Sequence, residues 1–459
     1  MKLQRWLPSL CLTLCWAISI QNPLFWDTIQ FGSYHPTYFF ETDFNNFLLP
    51  IHLDSGHPPY FGMYIAFFWT LLGRELWVTH VAMFPFVGII GYFSHKLSVF
   101  FANPLFAWCV AIYAVVLGQI MLVSPDVVLL AFWLSGVYGI LTKRKWLIML
   151  SVLILGMVSM RGMVAAVGLF GWQSWLYRKE KNNCLQTLSL YIPGGLLAIG
   201  YFFFHYAKTG WLGYHANSTW ANSFLYVDFP GLLKNLIVFG WRLLDFGLVF
   251  IWLSIIYIFF VQKNSLNSWG VVIGNFGILL LINVLLFAVI MLPYSGLMGH
   301  RYLLPVYASL FLYWTQLISA NNLKRLSVWV LTGLLLGNLW FYPQPIATGW
   351  DSTPLHFFYF SIRKSCVEYL QQRNIPLKSV GSAFPNLDTS YITDLSTDNY
   401  SSFSEKNLRT QQRIFYSNVF NNFSKTELNE LQTHWIVEKQ WGVWPVVGIL
   451  YQKPEPQAN

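Results

Sequence analysis

Apolar runs recur along the first three quarters of the chain, and many approach the ~20 residues an α-helix needs to cross a bilayer. Eleven are read as main spans, near residues 6–25, 76–94, 104–123, 127–142, 146–160, 163–177, 186–206, 236–261, 269–292, 302–319 and 326–341. Phe and Trp gather near the ends of several, where amphipathic rings favour the membrane–water boundary. The run Tyr60–Leu72 is shorter, follows Pro58-Pro59 and ends at Gly73-Arg74, which fits an interfacial helix better than a span. From residue 342 polar positions take over, Pro343, Pro345 and Pro354 read as a linker, and no further span follows. Helical spacing over His356–Arg373 and strand-like runs at Ser379–Ala383, Trp435–Val437 and Val446–Tyr451 predict a small α/β unit. The expected fold class is an α-helical polytopic membrane protein of about eleven transmembrane helices, with an interfacial helix in the first external loop and a small external α/β C-terminal appendage. Its domains are 1–341, in the membrane, and 342–459, outside it.

Composition agrees. Charged residues make up 10% of the 459-residue chain, against ~25% in ordinary soluble domains. The formal charge of +9 would suit a nucleic-acid partner if it formed a patch, but it does not. Residues 1–341 hold 18 Lys and Arg against 9 Asp and Glu, whereas 342–459 hold 10 of each. The excess sits in Lys143-Arg144-Lys145, Arg178-Lys179-Glu180-Lys181 and Lys324-Arg325, as the positive-inside rule expects of cytoplasmic loops. With Lys2 and Arg5 also cytoplasmic, eleven spans return every basic cluster to that side and leave the tail external. The bilayer is the expected partner, nucleic acid is not, and the location is a plasma or bacterial inner membrane. The first run lacks a small-x-small cleavage site before Asp27, so it reads as an uncleaved anchor. Five cysteines lie mostly in spans and suggest neither a disulfide framework nor a metal site.

Chemistry is concentrated in the first external loop, residues 26–75. Between Arg5 and Arg74 there is no lysine or arginine, yet four acids (Asp27, Glu41, Asp43, Asp54) and three histidines (His35, His52, His57) stand there. Carboxylates without local cations repel one another, so a proton or ligand that they handle explains them better than structure does. For Glu41 and Asp43, after Tyr38-Phe39-Phe40, a solvated loop face is the expected role; Asp126 is expected to cap the fourth span.

In order, the chain presents a first span, an external loop with an early acid, and the turn Asp54-Ser-Gly-His57-Pro58-Pro59 leading into an amphiphilic helix. Ser124-Pro125-Asp126 then falls at an external span edge, and His300-Arg301-Tyr302-Leu303-Leu304-Pro305 follows later. This order resembles the C-type (GT-C) glycosyltransferases, with protein O-mannosyltransferases and lipid A aminoarabinose transferases nearest, over roughly residues 1–320. The resemblance implies transfer of a sugar from a polyprenyl-phosphate donor to a glycan, lipid or protein acceptor at the external face, with inversion. It implies Asp27 as general base, although Thr28 stands where relatives often carry a second acid. Asp54 and His57, in a turn one residue longer than the mannosyltransferase pattern, would position donor or acceptor.

For the leaving phosphate, Arg301 is the preferred ligand, because it opens a span from outside and its fork matches phosphate oxygens. His300 would assist, as would Arg161, which replaces the lysine of many relatives. Arg242, three residues before Asp245, reads either as a further ligand or as an internal ion pair steadying its span. The loop acids offer oxygens of the kind a divalent cation takes, but with arginines at hand no metal or other cofactor is assigned. Two rival functions are a lipid-linked-sugar flippase, for which mid-membrane charges and repeated halves would be expected, and a polysaccharide ligase or polymerase, which would carry its largest loop between late spans.

Overall fold

The computed structural model describes residues 6–179, 183–218, 221–261, 269–321, 323–342, 350–397, 399–419 and 422–454. Lys2, Arg5, Glu180, Lys181, Pro343 and Pro345, used above, lie outside them.

Helices dominate. The first part of the chain forms α1 (Leu7–Ile18), α2 (His35–Glu41), α3 (Tyr60–Leu72), α4 (Leu76–Phe100), α5 (Leu105–Ile112), α6 (Ala114–Ile120) and α7 (Pro125–Leu141). It continues with α8 (Lys145–Val158), α9 (Met160–Leu176), α10 (Asn183–Thr209), α11 (Phe229–Arg242), α12 (Leu248–Val261), α13 (Trp269–Met291), α14 (Leu304–Asn321) and α15 (Lys324–Leu336). Among the described residues, four stretches are long and apolar enough to cross a membrane: Leu76–Phe100, Gln186–Thr209, Gly274–Met291 and His300–Asn321. The bent pair α6–α7 makes a fifth if it counts as one span. This is an integral membrane fold; the other runs read as spans form shorter or broken apolar helices. In the most apolar part of His300–Asn321, 83% of the residues are buried, against 28% in Gln186–Thr209 and in Gly274–Met291, so α14 is central and the other two are peripheral.

Several expected spans are interrupted, among them 269–292 at Gly274, and two of the breaks carry polar residues. The run 104–123 breaks at Tyr113, whose extended backbone separates α5 from α6, and α6 then meets α7 at 119°. The run 236–261 breaks at 243–247, where Phe246 (φ 50°) and Gly247 (φ 88°) turn left-handed. A side chain at Gly247 would also strike the Gly333 carbonyl at 2.4 Å, so only glycine lets α12 leave this corner against α15. Arg242 therefore ends α11, and Asp245 lies in the turn beyond it rather than on the same helix face.

The tail folds on α16 (Phe357–Gln372), α17 (Ser390–Thr393), α18 (Lys425–His434) and a five-stranded sheet of order β2-β1-β3-β5-β4. Its strands are β1 (Val380–Ser382), β2 (Ser404–Glu405), β3 (Arg413–Ser417), β4 (Ile436–Val443) and β5 (Val446–Gln452). β1 runs parallel to β2 and β3, whereas β5 is antiparallel to β3 and β4. The helix and three of the strands match the sequence expectation; β2, β3 and α18 were not read there.

The tail's apolar core does not stop at the tail. Phe25, Trp26 and Leu122 are buried in the same cluster as Trp350, Tyr359 and Phe360. The Leu24 amide donates to the Thr393 carbonyl at 2.8 Å, and the Tyr34 hydroxyl donates to Asp388. The segment bearing Asp27 is thus packed between membrane helices and tail.

Candidate active site

Asp27 follows Trp26, whose left-handed backbone (φ 56°) turns the chain sharply. Thr28 fixes the turn: its hydroxyl donates to the Phe25 carbonyl at 2.6 Å and accepts from the Phe25 amide at 2.9 Å. A short π-helix, Gln30–Tyr34, comes next, an element uncommon enough to mark a functional neighbourhood when it flanks a lone acid.

Two helix starts bring further groups to the same place. At the α6–α7 bend the Ser124 hydroxyl accepts from the Asp126 amide at 3.2 Å. Ser124 is therefore the cap, not Asp126 as expected, and the Asp126 carboxylate is free to face Arg161 Nη1 at 3.4 Å and Arg301 Nε at 3.5 Å. At the α8–α9 break the Ser159 hydroxyl accepts from the Gly162 amide at 3.1 Å, which holds Arg161 in the first turn of α9. The Arg161 guanidinium lies 3.8 Å from the centre of the Tyr302 ring.

Arg301 sits in the 3₁₀ turn His300–Leu303 that leads into α14. Its Nη2 donates to Asp27, its Nη1 lies 2.6 Å from Asp351 Oδ2, and its buried Nε has no hydrogen-bond partner. Three carboxylates thus surround Arg301 and share two guanidiniums. Asp27, Thr28, Phe31, Ser124, Pro125, Asp126, Arg161 and Arg301 line a narrow crevice that, as it stands, has no room for a water molecule. In a confined site of low polarity, an acid beside two guanidiniums can accept a proton while a developing anion is held.

His57 borders this site. Its Nδ1 accepts from the Met160 amide at 3.3 Å, one residue before Arg161, and its ring lies 6.0 Å from that of Phe31. Desolvation, then Arg161 and His35, push the imidazole down to about 3, so it is neutral at ordinary pH.

Other expected site residues lie elsewhere. Asp54 is buried, 2.9 Å from His205 Nε2, and accepts the Gly56 amide at 2.7 Å; it does not reach the crevice. Its partner was not foreseen because His205 lies inside an apolar run, on α10. Arg242, Asp245 and His300 form their own buried cluster: His300 Nε2 is 2.5 Å and Arg242 Nη1 3.3 Å from Asp245 Oδ2, while Tyr342 and Trp241 donate to Oδ1. Arg242 Nε donates to the Met298 carbonyl at 3.1 Å, His300 Nδ1 is buried without a hydrogen-bond partner, and neither Arg242 nor His300 lines the crevice. Glu41 and Asp43 are exposed. Asp351, in the turn Trp350–Ser352, was missed altogether. Among the described residues, no group of three or more His, Cys, Asp or Glu is arranged to hold a metal ion.

Helices, crevice and tail together make up one fold. Comparison with solved structures shows that fold in ArnT from Cupriavidus metallidurans in the apo state, at 11% identity and a TM-score of 0.50, over 95% of this chain and 96% of that one. ArnT from the same organism bound to undecaprenyl phosphate matches at 12% identity and a TM-score of 0.43, over 97% of each chain. No protein-family model and no curated protein sequence matches. The likeness covers nearly the whole chain, tail included, not only the first 320 residues as expected.

Proposed function

We propose that this protein transfers a sugar from a polyprenyl-phosphate donor to an acceptor at the external membrane face. The observation that carries this reading is the meeting of Asp27, Arg161 and Arg301 in one crevice, drawn from three separate chain segments. Asp27 accepts the proton of the acceptor hydroxyl as its oxygen attacks the anomeric carbon. The bond from that carbon to the phosphate oxygen breaks on the opposite side, which inverts the configuration. Arg301 and Arg161 hold the phosphate as negative charge grows on it. With Nδ1 engaged by Met160, the neutral His57 ring carries its proton on Nε2 and can donate it to a ligand oxygen. Asp54 acts indirectly, by fixing the loop, and the Arg242–Asp245–His300 cluster supports the turn that carries Arg301.

The reading includes a membrane domain of residues 1–341 with eleven spans and a cytoplasmic amino terminus, and an external domain of residues 342–459. The positive-inside distribution of lysine and arginine supports that orientation. Membranes carrying the protein, supplied with radiolabelled polyprenyl-phosphate sugars, should transfer label, and Asp27→Asn membranes should not. Undiminished transfer by the mutant would remove Asp27 as the base. Cysteine labelling that placed residues 26–75 on the cytoplasmic side would overturn the reading as a whole.

A further inference from the structure

A guanidinium has two edges, and only the one formed by Nε and Nη2 can grip two oxygens side-on while Nη1 faces away. In Arg301 the Nε–Nη2 edge faces the crevice, with Asp27 at Nη2 and Asp126 near Nε. Nε is buried and has no hydrogen-bond partner, although Arg301 as a whole is only 5% exposed. A buried donor without a hydrogen bond, with only the Asp126 carboxylate 3.5 Å away, is what an arriving anion oxygen would meet. The opposite corner, Nη1, is taken by Asp351, which does not line the crevice.

Asp351 is held by its surroundings independently of Arg301. The Gln119 side chain donates to its backbone carbonyl at 2.7 Å, and the Ser352 hydroxyl donates to its Oδ1 at 3.2 Å, leaving Oδ2 for the guanidinium. The turn rests directly on α6 at Gly118, where a side chain would come within 2.9 Å of the Thr353 nitrogen. Beyond it His356 stacks on Phe25, two residues before Asp27, with ring centres 5.5 Å apart. The tail thus reaches the site at two points, a carboxylate behind Arg301 and a ring against the segment bearing Asp27.

Resting on the function proposed above, we infer that Asp351 is a positioning residue: from outside the crevice it pins Nη1 of Arg301 and so presents the bidentate Nε–Nη2 edge to a phosphate. The tail's sheet is then a foundation for that carboxylate, and the donor site is incomplete without it.

The full-length protein in detergent or nanodiscs, titrated with farnesyl phosphate and separately with farnesol, tests this. Arg301→Ala should lose farnesyl phosphate binding and keep farnesol. Asp351→Asn should weaken farnesyl phosphate about tenfold, the size of one charge-assisted contact, and leave farnesol unchanged. Asp351→Glu should recover most of the loss. If Asp351→Asn does not fold, Gln119→Leu serves instead, since it keeps every charge and frees only the turn; a loss of about threefold for farnesyl phosphate alone is expected. Wild-type affinity in Arg301→Ala would remove both the phosphate role and this inference. Loss in Arg301→Ala with wild-type or tighter binding in Asp351→Asn and Gln119→Leu would remove the inference alone, as would equal losses for farnesol and farnesyl phosphate.

Discussion

Arg301 Nη2 donates to the carboxylate of Asp27, 274 positions earlier in the chain. The pair joins the start of α14 to the turn that follows α1, and it puts the proposed base in contact with the proposed phosphate ligand. In the proposed reaction, a phosphate that takes the Nε–Nη2 edge of Arg301 displaces Asp27 from it and leaves that carboxylate to the acceptor.

Replacing Asp27 by asparagine removes the base and keeps the shape. Transfer should fall by ~10²–10⁴, the usual contribution of a positioned general base. Farnesyl phosphate binding should stay within several-fold of wild type, because Arg301 remains and gains a free donor. Single-turnover transfer alongside equilibrium binding separates the two, and a parallel collapse of binding would mean that Asp27 is structural.

Arg301→Lys retains the charge but loses the fork. Lysine is a point charge that cannot meet Asp351 and a phosphate with separate nitrogens of one plane. Transfer efficiency, kcat/KM for the donor, should drop by about 10²-fold, the cost of removing one oriented donor from an anion site. Near-wild-type efficiency would show that charge alone suffices there.

How much of this site the sequence reveals depends on where each residue finds its partners. Asp27 stands alone behind the first span, Arg301 opens a late one and Arg161 lies at a span edge, so each is visible from its place in the apolar pattern. Asp351 is not: it sits in a tail of balanced charge, and only the tertiary docking of Trp350–Ser352 on α6 carries it to Arg301. Helix α16 and strands β1, β4 and β5 of the tail are legible through periodicity, but β2, β3, α18 and the path of the tail back to Phe25 and Leu122 are not. Breaks in spans are hidden for a related reason. Hydropathy counts apolar residues and is blind to the backbone, so the turns at Tyr113 and Phe246-Gly247 leave the run apolar while ending the helix. Asp54 reads as a donor- or acceptor-positioning acid for want of local cations, because its cation-capable partner His205 is 151 positions away.

The same turn offers a test of loop packing. Gly56 has φ +75°, and a side chain there would lie 1.7 Å from the Gly213 carbonyl oxygen. Gly56→Ala must both strain its backbone and push the 210–218 loop away, at a cost of about 2 kcal/mol or more. A lowered unfolding temperature in detergent is expected, with Gly73→Ala as a comparison, since that glycine shares a positive φ but has open space around it. Equal effects would assign the loss to backbone strain and not to the loop contact.

Acid sensitivity follows from histidines in and beside the external loop. Desolvation pushes His57 down to about 3 and both His35 and His356 down to about 4, from an ordinary 6.5. Each is depressed in the folded protein, so unfolding makes it easier to protonate. The stabilisation is complete above pH 6.5 and drains away as pH falls toward 4 and 3. The unfolding temperature should be level between pH 8 and 7 and decline steadily from pH 6 to 4. His57→Gln, whose side-chain oxygen can still accept the Met160 amide, should flatten part of that decline, because one of the three groups no longer titrates. An unchanged slope in His57→Gln would mean that His57 is already solvated and charged in the folded protein, which would also withdraw the neutral Nε2 proton assigned to it at the crevice.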